Sequence, residues 1–562
     1  MLEICLLYAA VLILGWPLGH YLAAVMRGDR SRAEPLFDLI EKPIYAMLGK
    51  AARQPMSLRQ YLTAFVACNA ALGLTVWLIF MFQGHLPWNP NHAPDMSWDL
   101  ALHTAISFLT NTNQQHYSGQ AQLSLLSQAS AITGLQVASP LMGLAMACCM
   151  LRLLFGRQDE PNKPQNFWVD IVRPAVRLLL PAGLVLSVLL TSQGVPATLS
   201  GGPQFKPLDT TWKNPAQVVP LGPVAPMVAV KQLGTNGGGW YGPNSAVPLE
   251  NPTPLSNFLE TLAILLMPVA VVFMVGPFTG RKRLTTFIIG VMIAMSIGAS
   301  AASIAAEHDS PGLQGASWME GKEQRFNVDE SALWSSLTTQ TSNGSVNAMM
   351  DSMAPLTILV ALCNMMINST FGGVGCGLLQ FFVYLMLTVF LAGLMTGRTP
   401  ELFGRKIEAG EIRWLGVLIL LQPLTVLGLS AITFSFPGLA ATSNPGFHGF
   451  AQVLYEYTSA FANNGSGLEG LGDNTVWWNV SASVALLLGR FPSLMIPVVL
   501  AWRLSRKPLV PENAGSLQVE SITFGLVLIA TILILTLLQF TPALMLGPIA
   551  DHFALTMTGV TP

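Results

Sequence analysis

The sequence predicts an all-α polytopic membrane protein of about ten transmembrane helices. Four pseudo-repeated units of helix, pore half-helix, filter loop and helix fill most of the chain, with one extra helix at each end. Three observations predict this. Of 562 residues, 52% are hydrophobic and only 10% charged, with mean hydropathy +0.51; soluble chains carry about 25% charge. Ten segments are apolar over the roughly 20 residues that a membrane helix needs. One Gly- and Asn-rich signature also occurs four times: TNTNQ (Thr110–Gln114), LGTNGGGW (Leu233–Trp240), SNGSV (Ser342–Val346) and NNGSG (Asn463–Gly467). Aligned on Asn111, Asn236, Asn343 and Asn464, the copies lie 125, 107 and 121 residues apart, which suggests an internal repeat.

The N-terminal extra helix runs from about Ile4 to Val25 and leads into a basic loop, together residues 1–61. It lacks a basic n-region and ends in Arg27–Arg32, which suits an uncleaved anchor. Pore repeat one (62–155) holds spans near Leu62–Phe82 and Ala129–Leu154. Repeat two (178–277) holds Leu178–Ser192 and Phe258–Pro277. Repeat three (284–397) opens with Thr285–Ala305. Its second apolar run, Pro355–Met395, is too long for one span and is interrupted by FGGVGCG (Phe371–Gly377). It reads as one broken helix with a glycine elbow; two full spans are the alternative. Repeat four (412–503) holds Trp414–Phe434 and Val480–Trp502, and the last helix, Ile522–Phe540, lies within 519–541.

With ten spans, 22 of the 28 basic residues fall on one face, in loops that carry clusters such as Arg281–Arg283 and Arg503–Lys507. The positive-inside rule makes that face cytoplasmic, so both termini are expected outside. All four asparagine motifs fall on the opposite face. Each follows a stretch too short to span, at Trp98–Leu109, Pro223–Leu233, Asp329–Thr341 and Gly449–Ala462, as a re-entrant half-helix would be.

Non-helical backbone at membrane depth persists only when buried in protein or lining a water-filled path. Glycine allows dihedrals that turn successive carbonyls inward, and Asn tolerates left-handed geometry. Four such loops on one axis, each behind the negative end of a half-helix, would hold a dehydrated monovalent cation. A lone copy would be an ordinary Asn-Gly turn; the repetition carries the signal. The candidate filter residues are Thr110, Asn111, Thr112, Asn113; Gly234, Thr235, Asn236, Gly237, Gly238; Ser342, Asn343, Gly344, Ser345; and Asn463, Asn464, Gly465, Ser466. Thr112 is set against Gly237, Gly344 and Gly465, so an asymmetric ring is expected.

The elbow residues Gly372, Gly373, Gly375 and Gly377 serve either as a constriction below the filter or as close helix packing. Arg490 lies mid-span. An intramembrane arginine faces protein interior or a cavity, here as a cation-repelling charge, in an ion pair, or capping carbonyls freed near Pro492. Arg398 reads as an interfacial anchor. The outer segment Ser435–Asn479 has no Lys or Arg but carries Glu456, Glu469 and Asp473, either a cation-attracting or a merely solvated surface. The six cysteines read as packing residues. Net charge −1 gives no reason to expect a nucleic-acid partner. There is no GxxxxGK[ST] phosphate loop, no DKTGT-type aspartate and no array of intramembrane carboxylates, so uphill transport would draw its energy from another polypeptide.

Longer motifs carry a resemblance. They are SFLTNTNQQHYSG (Ser107–Gly119), QNFWVD (Gln165–Asp170), KQLGTNGGG and NSAVPLENPTPLSNF (within Lys231–Phe258), MEGKEQRF and SNGSVN (within Met319–Asn347), FGGVG and AGLMTGRTPE (within Phe371–Glu401), and YTSAFANNGS and LLLGRFP (within Tyr457–Pro492). The chain resembles the A subunits of the Kdp potassium-transporting ATPases. That resemblance implies K+ as the bound and transported ion and no other cofactor. It implies a bacterial inner-membrane location in the lipid bilayer, and a P-type ATPase catalytic B subunit, a single-span C subunit and a small F subunit as partners. It also implies that ATP is hydrolysed on another subunit, that the elbow diverts ions sideways, and that Gln115 supports ion affinity. Gln114 departs from the Trp that many relatives carry beside the first loop, and the third helix matches poorly.

Overall fold

The computed structural model describes residues 2–30, 32–156, 166–208, 217–309, 318–436, 438–510 and 517–558. Gln165, the first residue of the QNFWVD motif, lies outside these. Among the described residues, ten helices are long and apolar enough to cross a membrane: Glu3–Arg27, Leu58–Met81, Ser127–Phe155, Phe167–Ser192, Pro254–Thr279, Lys282–His308, Cys376–Thr396, Ala409–Ser435, Val476–Ser505 and Ile522–Met557. They are spans one to ten below. The expected fold class holds.

Several spans begin where the sequence supplies a cap. Ser57 and Gln60 form a capping box at span two, and Thr253 and Ser256 do so at span five, with Pro254 at the first helical position. Thr475 and Ser521 accept backbone N–H groups at the starts of spans nine and ten. Each side-chain oxygen satisfies a donor that the first helical turn would otherwise leave open.

Span four differs from its sequence reading. It starts at Phe167, where Asn166 accepts from the Trp168 N–H, and passes through a wide turn at Ala175–Leu179 before continuing to Ser192. Arg173 and Arg177 therefore ride on the helix and not in a loop. Arg177 is buried against Glu34 and Glu41. Those acids belong to a helix the hydropathy reading passed over, Glu34–Leu48. Span ten also runs further than expected, bending at Met545–Ile549 into a final helix, Ala550–Thr558.

Of the two readings of the run Pro355–Met395, the structure gives the broken helix. Pro355–Ile367 has 13 residues, about 20 Å at 1.5 Å per residue, short of the roughly 30 Å hydrocarbon core. Asn368 closes it at φ +45° and Cys376 opens the second half.

Span three is the centre of the bundle. In its most apolar stretch 83% is buried, against 22% for span two and 28% for spans eight and ten. A helix apolar all round needs such enclosure. Span three therefore packs within its own chain, while spans two, eight and ten form the rim.

Candidate functional site

Four half-helices end at four short loops: Trp98–Leu109, Val224–Leu233, Val328–Gln340 and Gly446–Ala462. At each end one backbone N–H reaches back five residues. Thr112 N donates to Ser107 O at 3.0 Å, Asn236 N to Lys231 O at 2.8 Å, Asn343 N to Thr338 O at 2.9 Å, and Asn464 N to Ser459 O at 2.9 Å. The residues flanking each of these have positive φ. They are Asn111 (+64°) and Asn113 (+59°), Thr235 (+50°) and Gly237 (+80°), Ser342 (+50°) and Gly344 (+86°), Asn463 (+54°) and Gly465 (+100°).

Both patterns give one register and correct the sequence alignment of the first copy by one residue. Thr112, not Asn111, is equivalent to Asn236, Asn343 and Asn464. Asn113, not Thr112, stands where the others have glycine. The alignment failed because repeat one carries two asparagines and no glycine, so residue identity chose the wrong one. The ring is asymmetric as expected, but at Asn113.

The loops touch in sequence around the ring. A Cβ on Gly237 would lie 1.8 Å from Asn343 O, one on Gly344 2.0 Å from Asn464 O, and one on Gly465 2.0 Å from Thr112 O. Only glycine meets both the dihedral and the contact. At the fourth junction the side chain of Asn113 packs beside Gly238, whose own Cβ would stand 2.6 Å from that of Asn113.

Side chains brace the ring. Asn111 Nδ2 donates to Thr235 O at 2.8 Å, and Asn236 Nδ2 to Asn111 Oδ1 at 2.9 Å. Ser345 N and Ser466 N donate to Asn343 Oδ1 and Asn464 Oδ1 at 2.9 and 3.0 Å. Thr110 and Thr112 pair through their hydroxyls at 2.9 Å, and Asn463 Nδ2 donates to Thr112 Oγ1 at 3.1 Å. Asn464 Nδ2 donates to Thr338 O on the neighbouring half-helix. Gln115 joins loops one and two reciprocally: its Nε2 donates to Gly239 O at 3.1 Å and its Oε1 accepts from Gly239 N at 2.9 Å. Gln114 Nε2 donates to Glu456 on half-helix four.

The elbow lies directly against these loops. A Cβ on Gly373 would find Thr235 Oγ1, Asn111 Nδ2 and the Ser342 Cβ, each between 3.6 and 3.9 Å. Val374 N donates to Thr235 Oγ1 at 3.1 Å, and Ser342 Oγ to Asn368 Oδ1 at 2.6 Å. Gly372 and Gly375 take φ of +56° and +80°. A Cβ on Gly375 would press on the Gly143 carbonyl of span three, and one on Gly377 on Phe371 O. The two sequence readings thus divide by residue: Gly373 faces the ring, while Gly375 and Gly377 pack.

Arg490 is buried and anchors this elbow. It donates to Cys376 Sγ at 2.8 Å and to Ser139 O of span three at 2.9 Å. Among the described residues no carboxylate pairs with it, so it is not in an ion pair, and the carbonyl it caps is far in sequence from Pro492. Arg398 is exposed just beyond the end of span seven.

Sequence reasoning missed two polar clusters. Behind loop two, Lys231 is fully buried and bonded to Glu250, Asn244 and Ser245. Asn244 donates in turn to Gly237 O. Beside loop one, His116, Glu456 and Asp473 converge. Glu456 is buried on half-helix four, so the acidic outer segment is not simply a solvated surface. Burial pulls the His116 imidazole down, but Asp473 and Glu456 outweigh it and hold it up at about 9. Only the fold reveals that 340 residues of sequence separation close to hydrogen-bond range.

The fold and the ring of loops define a class: polytopic proteins built from four helix, half-helix, loop and helix repeats. Among solved structures the chain is similar to the potassium transporter TrkH from Vibrio parahaemolyticus, with a TM-score of 0.51 at 14% identity, covering 88% of this chain and 98% of that one. The chain belongs to the family of the potassium-transporting ATPase A subunit, whose family model matches residues 5–553. Its relatives include the potassium-transporting ATPase potassium-binding subunits of Pseudomonas fluorescens Pf0-1 (44% identical, 98% of each chain) and Gloeobacter violaceus (43%, 95% of each chain).

Proposed function

We propose that this chain is the K+-selective, channel-like subunit of an ATP-driven potassium pump. It binds K+ from outside in the ring formed by loops 110–113, 234–238, 342–345 and 463–466. The carrying observation is the shared register: four loops alternate the sign of φ at equivalent positions and meet edge to edge with room for no side chain at three junctions. Such alternation turns successive carbonyls to one side of the chain, and a ring of carbonyls replaces the hydration shell of K+. The four half-helix C-termini add negative potential.

Gly373 and its neighbours close the path below the ring, so the ion leaves sideways toward a P-type ATPase B subunit. That partner hydrolyses ATP, and single-span C and small F subunits complete the complex in the bacterial inner membrane. The basic loops lie in the cytoplasm and both chain ends outside. The test is K+-stimulated ATP hydrolysis by the chain purified with its neighbours. Stimulation that saturates with K+ supports the pump. Hydrolysis indifferent to K+ overturns it and leaves an independent channel or symporter as the better reading.

A further inference from the structure

Three side chains from separate segments meet at the outer rim of loop one. His116 follows the loop, Glu456 lies on half-helix four, and Asp473 precedes span nine. One donor atom from each lies within 4.8 Å of the other two. His116 Nε2 stands 3.3 Å from Glu456 Oε1 and 4.0 Å from Asp473 Oδ2. A charge-assisted N–H···O bond closes to about 2.7–2.9 Å, and neither pair does. Ligands around a tetrahedral ion at about 2.0–2.1 Å stand about 3.4 Å apart. His116 Nε2 is within loose hydrogen-bond reach of Glu456, and the three atoms also stand close enough together to share one small ion.

The imidazole is oriented from behind. Asn479 Nδ2 donates to Asp99 Oδ2 at 2.9 Å, which turns Asn479 Oδ1 toward His116 Nδ1 at 2.8 Å. An amide oxygen only accepts, so Nδ1 carries a proton. An ion at the site takes the place of the Nε2 proton and receives that nitrogen's lone pair. Metal-ligating histidines anchor their other nitrogen in this way.

A further observation points to a ligand. His103 is fully buried and stacks on His116, with ring centroids 3.7 Å apart and planes at 14°. Gln114 Oε1 beside it can take at most one of its nitrogens, so at least one buried imidazole nitrogen has no hydrogen-bond partner among the described residues. Buried polar atoms without partners call for a water or an ion.

We propose that His116, Glu456 and Asp473 bind a divalent transition-metal ion of the Zn2+ type at the outer edge of the ring. One imidazole with two carboxylates suits Zn2+, Fe2+ or Mn2+ better than an alkali ion. Asp473 keeps 28% of its side chain exposed while His116 and Glu456 are enclosed, so the ion enters past Asp473 and solvent completes its shell. Because Glu456 also takes the Gln114 amide, the ion ties loop one to half-helix four.

The experiment is equilibrium dialysis of Zn2+ alone against the full chain, purified in its native complex at fixed K+. Wild type should bind one Zn2+ that is lost, or weakened at least tenfold, in both His116→Asn and Asp473→Asn. Asp473 lies in an outer loop, so its variant folds even if the buried His116 variant does not. X-ray absorption at the zinc edge should show nitrogen and oxygen neighbours only. No Zn2+ in wild type, undiminished Zn2+ in Asp473→Asn, or a sulfur shell from one of the six free cysteines would overturn the proposal. None of these readouts depends on K+ transport.

Discussion

Gly237 and Asn343 meet backbone to backbone: the position a Cβ would take on Gly237 is 1.8 Å from the Asn343 carbonyl oxygen, at a φ of +80°. Any side chain must push loop three away from loop two. Gly237→Asp adds a carboxylate at that junction, and Gly237→Ala adds only bulk. Both should raise the K+ concentration for half-maximal ATPase stimulation by at least about tenfold, the equivalent of 1.4 kcal/mol of binding. Gly428→Ala, where no atom lies within 4 Å of the added methyl, should change nothing. Wild-type K+ dependence in a well-expressed Gly237→Asp protein would refute the filter assignment.

The span count and the half-helices were legible because hydropathy and the bilayer thickness leave few alternatives. Trp98–Leu109 matches its sequence boundaries, and the elbow lies within the expected broken run. The ring register was not legible, since it depends on dihedrals, and TNTN offers two asparagines. Nor were Lys231–Glu250 and His116–Glu456–Asp473. A buried polar group is read from sequence only when its partner is near in the chain, and half-helix four reaches its histidine across the whole fold.

Arg490 should act on the elbow. Its guanidinium spans Cys376 Sγ and Ser139 O, so Arg490→Gln frees the start of span seven and removes a buried positive charge beneath the ring. Passive Rb+ flux in proteoliposomes should rise by at least about an order of magnitude, because a unit positive charge costs a nearby cation on the order of 1–4 kcal/mol at protein-like screening. A leak equal to wild type in folded protein would show that the elbow closes without Arg490.

Lys231→Met should destabilise the chain by about 3–5 kcal/mol, because it strands the Glu250 carboxylate in the interior. The double variant Lys231→Met, Glu250→Gln should recover most of that, read as the thermal midpoint of the detergent-solubilised chain. Its K+ half-saturation should still be raised, since Asn244 loses the ammonium that orients its amide on Gly237 O. If the double variant is no more stable than the single, the buried pair is not the reason Lys231 is needed.

His448 should make the docking of the last helix depend on pH. Its Nε2 lies 2.9 Å from Asp351 Oδ1, and its Nδ1 lies 2.9 Å from Asp551 Oδ2 on the Ala550–Thr558 helix. Gln452 also donates to Asp351. Burial pulls the imidazole down, but the two carboxylates outweigh it and raise it to about 9, above the unfolded value of about 6.5. A raised pKa means the folded state holds the proton more tightly. The stabilisation is complete below about pH 6.5 and is lost as pH rises through about 9. Hydrogen exchange at residues 550–556, corrected for the intrinsic rate, should therefore show protection at pH 6.5 that falls by pH 9.5. In His448→Gln the protection should be weaker at pH 6.5 and flat across the range. Equal protection of wild type at both pH values, or a pH dependence surviving in the variant, would mean that the bridge does not hold this helix.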